Sequence, residues 1–100
     1  MADGSEIFVQ VLRHFAELEP TFPEGYCAVV RRLGRKRPYV ARTRELLYPG
    51  KPYLLSETVE FAPGWFVGTN EGNDKKLKLL RVACDVLGLR WNQDLWVRMP

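Results

Sequence analysis

The chain has few of the side chains that carry catalysis or bind metal ions. His14 is its one histidine, and its two cysteines, Cys27 and Cys84, stand far apart among apolar neighbours. A structural zinc site needs cysteine or histidine ligands at short spacings, and a catalytic nucleophile needs a neighbouring base. Neither arrangement can be assembled from these residues, so the sequence predicts no enzyme, no metal and no cofactor.

Long apolar runs and dense cysteine pairing are also missing. No run approaches the roughly 18 to 20 residues that cross a bilayer, and residues 1–6 carry acids in place of the basic start of a signal peptide. Small secreted scaffolds pair many cysteines, whereas this chain has two. We therefore expect a cytoplasmic protein without membrane association, folded as one domain over residues 1–100.

Charge is distributed unevenly along the chain. The net charge is +3, but seven of the 15 basic residues lie in residues 31–44, which contain no acid. We call this stretch the basic segment. Residues 1–30 and 45–74 each carry one base and five acids. An anionic partner is therefore expected to meet the protein at the basic segment.

The N-terminal residues have the pattern of an amphipathic helix. Asp3 and Glu6 have the spacing of a capping box, and Pro20 disfavours helical geometry in the residue before it. The sequence therefore predicts a helix that begins near Asp3 and ends by Glu19. Its apolar positions recur on one face: Ile7, Phe8, Val11, Leu12, Phe15 and Leu18.

A second amphipathic helix is predicted over residues 75–87. Asn73 or Asp74 can cap its start, and Gly88 is typical of a glycine that ends a helix, with Leu89 packing back near Cys84. The predicted buried face is centred on Leu77, Leu80, Ala83, Cys84 and Leu87.

Several short stretches are predicted to be strands. Residues 65–67 form an apolar run behind the turn residues Pro63 and Gly64, and residues 95–97 form another. Residues 53–61 alternate imperfectly, so a strand there is expected to bend or bulge near Ser56. Trp65 and Trp96 are predicted to anchor the core from their strands. Trp91 is predicted either to cover one end of the core, which is the preferred interpretation, or to stand exposed as an interface anchor.

Residues 26–30 fit two structures. Val29 and Val30 favour a strand that pairs with residues 38–43 across a turn at residues 34–37, and this hairpin is the preferred interpretation. A short helix is the alternative, because Pro23 lies near its start and Gly34 just beyond its end.

The predicted fold class is α+β. A small, largely antiparallel sheet carries the two amphipathic helices on one face, which leaves its other face or the hairpin tip for binding.

The predicted function is nucleic-acid binding, in a small cytosolic and regulatory protein. Arginine and lysine neutralise phosphates and release counterions, and a tyrosine among them can stack on an unpaired base. RNA or single-stranded DNA is therefore the favoured partner. The predicted binding residues are Arg31, Arg32, Arg35, Lys36, Arg37, Tyr39, Arg42 and Arg44. Lys75, Lys78 and Arg81 would extend this surface if their helix lies beside it.

The same charges allow a second interpretation. A small inhibitor or adaptor, of the kind that phages and other mobile elements encode, would dock its basic segment on an acidic protein surface. That partner could itself handle nucleic acid. Nothing in the residues predicts an oligomeric state.

Overall fold

The computed structural model describes residues 4–33, 38–91 and 93–95. An antiparallel three-stranded sheet and α-helices make up the fold, which confirms the predicted α+β class. The helices are α1 (Gly4–Leu18), α2 (Phe22–Val30), α3 (Arg44–Leu47) and α4 (Asn73–Leu87), and the strands are β1 (Val40–Ala41), β2 (Thr58–Ala62) and β3 (Trp65–Gly68). Two 3₁₀ segments, Arg31–Leu33 and Pro52–Glu57, follow α2 and precede β2.

The sheet is ordered β1-β3-β2, with β3 in the centre. Val67 pairs with Val40 on one side and with Val59 on the other. The predicted turn at Pro63 and Gly64 is confirmed, because Gly64 has the positive φ of 75° that most side chains disfavour. An irregularity falls between Glu60 and Ala62, so the bulge that was expected near Ser56 lies further along the chain.

Helix α1 packs by the predicted stripe against α4 and β2. Phe8, Leu12 and Phe15 are buried, whereas Leu18 at the end of the stripe is exposed. Lys76 of α4 is buried, and its ammonium donates a hydrogen bond of 2.7 Å to the Ser5 hydroxyl of α1. This polar contact joins the two helices beside their apolar one.

Residues 26–30 are helical, so the preferred strand interpretation was wrong. Helix α2 has Pro23 in its first turn and buries one face against the core. The Tyr26 hydroxyl donates 2.9 Å to the Leu79 carbonyl oxygen of α4. The predicted hairpin with residues 38–43 does not form, because β1 pairs with β3.

Helix α4 agrees with its prediction except at its N-cap and at one edge of its buried face. Gly72 is the N-cap, so neither Asn73 nor Asp74 has that position. Leu79, which the prediction left off the buried face, is fully buried, while Leu77 and Leu87 are half-buried. The helix ends as predicted, since Gly88 is left-handed and the Leu89 N–H donates 2.8 Å to the Cys84 carbonyl oxygen.

The two faces of the sheet are both covered. Val40 and Val67 join α1, α2 and α4 in the main core, and we call this side the helix face. On the opposite side, Ala41 and Phe66 pack with Leu47, Tyr48 and Leu54 of residues 44–57, and we call it the far face. The expectation of a free second face was therefore wrong, and the start of the predicted strand at residues 53–57 is 3₁₀ helix.

Some predictions fall outside the described residues: the cap at Asp3, the turn at residues 34–37, and Trp96 with the rest of its strand. Leu95 forms an isolated parallel bridge with Trp91. Trp65 and Trp91 are both half-buried and pack against the main core, as their predicted roles require. Cys27 and Cys84 are free and buried.

Candidate nucleic-acid interface

The fold divides the basic segment between separate places. Arg31 and Arg32 lie in the 3₁₀ turn that extends α2, and both are exposed. Arg42 follows β1 and is exposed, whereas Arg44 opens α3 and is half-buried. Arg35, Lys36 and Arg37 lie outside the described residues.

A chain of contacts brings the start of the basic segment together with α4. The Arg31 guanidinium lies 3.8 Å from the Cys27 sulfur, whose thiol donates 3.5 Å to the Val40 carbonyl oxygen. Next to Val40, the Tyr39 ring lies under the ammonium of Lys75, 5.8 Å from the ring centroid. We call Arg31, Arg32 and Lys75 the cationic surface, in which Arg32 is included because it follows Arg31 in the same exposed 3₁₀ turn. The described residues on either side of positions 34–37, Leu33 and Pro38, are the sequence neighbours of Arg32 and Tyr39.

Two members of the cationic surface, Arg31 and Arg32, form no ion pair with a described carboxylate. Within residues 4–33, 38–91 and 93–95, the ion pair found is that of Arg90 with Asp94, 3.6 Å apart near the C-terminus. Arg31 and Arg32 therefore keep their charge available to an anion.

Tyr39 does not have the exposure that base stacking requires. Its side chain is only 7 % exposed and belongs to the main core. A buried ring cannot receive an unpaired base on its face without leaving that core. Tyr39 is therefore removed from the candidate site, and its ring instead packs in the core beneath the Lys75 ammonium.

Arg44 is held inside the protein by specific partners. Its Nη1 donates 2.8 Å hydrogen bonds to both the Thr58 carbonyl oxygen and the Thr58 hydroxyl. Its guanidinium also lies 4.7 Å from the centroid of the Phe66 ring on the far face. These contacts join α3 to β2 and β3, so Arg44 serves the fold.

Arg42 has an intermediate position. Its guanidinium lies 4.5 Å from the centroid of the Trp65 ring, a cation–π contact across the β1–β3 pair. Gly64 leaves room for it, since a Cβ there would come within 3.1 Å of Arg42 Nη2. Because Arg42 is exposed, donors of this stacked guanidinium remain accessible to an anion.

A cleft of about 720 Å³ lies between α1 and the β2–β3 turn. It is lined by Pro20, Pro23 and Trp65 among other apolar groups, and by the charged residues Arg13, Glu17 and Glu60. The Arg13 guanidinium already donates 3.1 Å to the Glu60 carbonyl oxygen. With two carboxylates for one guanidinium, this cleft is a poor place for a phosphate.

A further question for the described residues is where the side chains lie that could ligate a metal or act as a nucleophile. No group of three or more histidine, cysteine, aspartate or glutamate side chains among them could hold a metal ion. His14 is exposed on α1. Burial, and then the nearby Asp85 and Asp94 carboxylates, raise the pKa of the Cys84 thiol, which disfavours the reactive thiolate.

Lys75 was predicted only as a conditional extension of the site, together with Lys78 and Arg81. The sequence placed it on the outer face of a helix, and only the packing of α4 against Tyr39 shows that it adjoins the basic segment. The signal available beforehand was its occurrence with Lys78 and Arg81 on one helix.

No protein-family model, no curated protein and no solved structure matches this chain. Among the described helices, none combines the length and the apolarity needed to cross a membrane.

Proposed function

We propose that this is a small nucleic-acid-binding protein with a regulatory role, which contacts phosphates through the cationic surface. The observation that carries the proposal is that Arg31 and Arg32 are exposed and form no ion pair with a described carboxylate. Lys75 lies over Tyr39, which follows residues 34–37 closely in the sequence. The proposed contacts add Arg35, Lys36 and Arg37 to the cationic surface on the ground of sequence alone.

The chemistry of this region suits a polyanion. Each phosphate that a lysine or arginine neutralises releases condensed counterions, which provides affinity for any sequence. Arg42 can add a further phosphate contact at the edge of the region, because its guanidinium is stacked on Trp65 but exposed. Arg44 and Tyr39 contribute to the fold alone.

A second candidate function is docking on an acidic protein as an inhibitor or adaptor. Val29 and Leu33 favour it, since these large apolar side chains are 36 % and 39 % exposed beside Arg31 and Arg32. Arginines among exposed apolar groups are typical of protein interfaces. This candidate predicts one partner whose binding survives nuclease treatment.

The remaining parts of the proposal concern chemistry and compartment. We propose a binding protein without enzymatic activity, without a cofactor and without membrane attachment. The free thiols of Cys27 and Cys84 support a reducing compartment such as the cytoplasm.

The test is the salt dependence of oligonucleotide affinity in a charge-reversal pair. Arg32→Glu changes the cationic surface, and Lys51→Glu makes the same net-charge change at an exposed lysine that precedes the far-face segment Pro52–Glu57. Arg32→Glu is expected to lower the affinity. It is also expected to make the slope of log K against log salt shallower, by about 0.9 for each duplex phosphate contact that is lost. Lys51→Glu is expected to leave the slope unchanged. Equal effects, or no binding by the wild-type protein at physiological salt, would refute the proposal.

A further inference from the structure

The aromatic rings closest to the cationic surface are already covered. Tyr39 is buried, and the Lys75 ammonium lies over its ring. Further along the basic segment, guanidinium groups lie over the next two rings, Arg42 over Trp65 and Arg44 over Phe66. Each ring has one face against a cation and contacts the protein core, and Trp65, which is half-buried, borders the cleft whose two carboxylates disfavour a phosphate.

The most exposed aromatic ring among the described residues is far from this surface. Tyr53 is 73 % exposed, but it lies in the segment Pro52–Glu57, which packs through Leu54 on the far face. The cationic surface belongs to α2, its 3₁₀ extension and α4, which cover the helix face. Tyr53 is therefore on the opposite side of the sheet.

Trp91 is similarly separated from Lys75. Lys75 lies in the first turn of α4, whereas Trp91 follows its end and packs half-buried against the core. A helix of 15 residues is about 22 Å long, which sets the approximate separation of these residues along its axis.

We propose that the ligand of the cationic surface is a nucleic-acid duplex, contacted through its backbone phosphates. This inference rests on the proposed function and specifies its substrate class. Single strands and RNA loops gain much of their affinity by stacking unpaired bases on aromatic rings. A duplex keeps its bases stacked internally and presents phosphates at regular intervals, which match a surface of cations without an exposed ring. This inference departs from the sequence-based preference for single strands and RNA loops, and it keeps DNA and RNA duplexes as two possible sources of the same phosphate array.

Counterion release gives the expected size of the preference. Three phosphate contacts give a slope of log K against log salt of about −2.7 on a duplex and about −2.1 on a single strand. Over a tenfold reduction in salt, affinity for the duplex should therefore rise about fourfold more than affinity for its strands.

The experiment compares a 20-base-pair DNA duplex, the same duplex in RNA, and the separated strands of each, at equal phosphate concentration across a salt series. The expected result is that the protein binds either duplex more tightly than the separated strands of that duplex. This preference for duplex should be lost in Arg32→Glu. Tyr53→Ala should leave the affinity for every oligonucleotide unchanged. Lys51→Glu should leave the slope of log K against log salt unchanged.

Two outcomes separate this inference from the function on which it rests. Tighter binding of single strands that still depends on Arg32 would overturn the duplex inference and leave nucleic-acid binding standing. A loss of about fivefold or more in single-strand affinity for Tyr53→Ala, the effect of one lost stacking contact, would also overturn it. No binding of any oligonucleotide would instead overturn the proposed function itself.

Discussion

The two ends of the basic segment carry the same residue type in different surroundings. Arg31 and Arg32 project from the end of α2 and form no ion pair with a described carboxylate. Arg44, twelve or thirteen positions later, donates two 2.8 Å hydrogen bonds to Thr58 and covers Phe66. A count of charges in the sequence treats these arginines alike, whereas the fold assigns one end to solvent and the other to packing.

The difference arises from what each end follows. Arg31 and Arg32 continue a helix whose buried face has already ended at Val30, so their side chains meet water. Arg44 follows β1, which pairs with β3. This pairing brings the Arg44 guanidinium over the ring of Phe66 in β3. Neighbouring structure therefore decides whether an arginine faces solvent or packs against the protein.

The largest expected effect is at Arg44. Arg44→Ala removes two charge-assisted hydrogen bonds and a cation–π contact, so it should lower the free energy of unfolding by about 1.5 to 3 kcal/mol. Urea denaturation would measure it, with Arg32→Ala as the control that should change stability by less than about 0.5 kcal/mol. Equal stability losses would remove the distinction between the two ends.

A smaller effect is expected where α2, which carries Arg31 and Arg32, is anchored to α4. Burial, followed by the charge of a deprotonated Cys84, raises the pKa of the Tyr26 hydroxyl. The unfolded tyrosine ionises first, near pH 10, so the contribution of Tyr26 to stability should be constant below that pH and fall as pH rises further, by at most about 1.4 kcal/mol per unit.

Tyr26→Phe is the variant that tests this anchor. It should cost about 0.5 to 1.5 kcal/mol at pH 7, through loss of the bond to the Leu79 carbonyl oxygen, and should flatten the alkaline decline. Urea denaturation at pH 7, 9 and 11 gives both quantities. A decline of unchanged steepness in the variant would assign it to other groups.

The smallest expected effect is at Arg42, between the two ends. An exposed cation–π contact contributes about 0.5 to 1 kcal/mol, so Arg42→Ala should destabilise by that amount. Arg42→Lys retains the charge but loses the planar stack, and comparing the two by thermal denaturation separates these contributions. If Arg42→Ala lowered the free energy of unfolding as much as Arg44→Ala does, Arg42 would belong with Arg44 among the arginines that stabilise the fold.

The sequence predicted those parts of the fold that local signals determine. Helix α4 ends at Gly88 as expected, because a left-handed cap needs glycine and leaves a visible pattern. The strand at β3 and its preceding turn at Gly64 were equally visible. Helix α2 was misread, since the strand preference of Val29 and Val30 competed with helix signals at Pro23. Packing against α4, through contacts such as Tyr26 to Leu79, outweighs that local preference.

The candidate site was predictable only in its charge. The cluster of arginines was evident, but the burial of Tyr39 depends on the pairing of β1 with β3 and on the position of Lys75. These are contacts between residues distant in sequence, which a residue pattern in one segment does not contain. The structural role of Arg44 could not be predicted for the same reason, because its partner Thr58 lies 14 residues away in the sequence.

The most direct test applies one chemical change to both ends of the basic segment. Arg32→Gln and Arg44→Gln each remove one positive charge, and duplex affinity is measured against salt for both at a temperature where both are folded. The slope of log K against log salt should become shallower by about 0.9 for Arg32→Gln and stay at the wild-type value for Arg44→Gln. Equal changes in slope, or a change for Arg44→Gln alone, would contradict the assignment of one end to phosphate binding and the other to the fold.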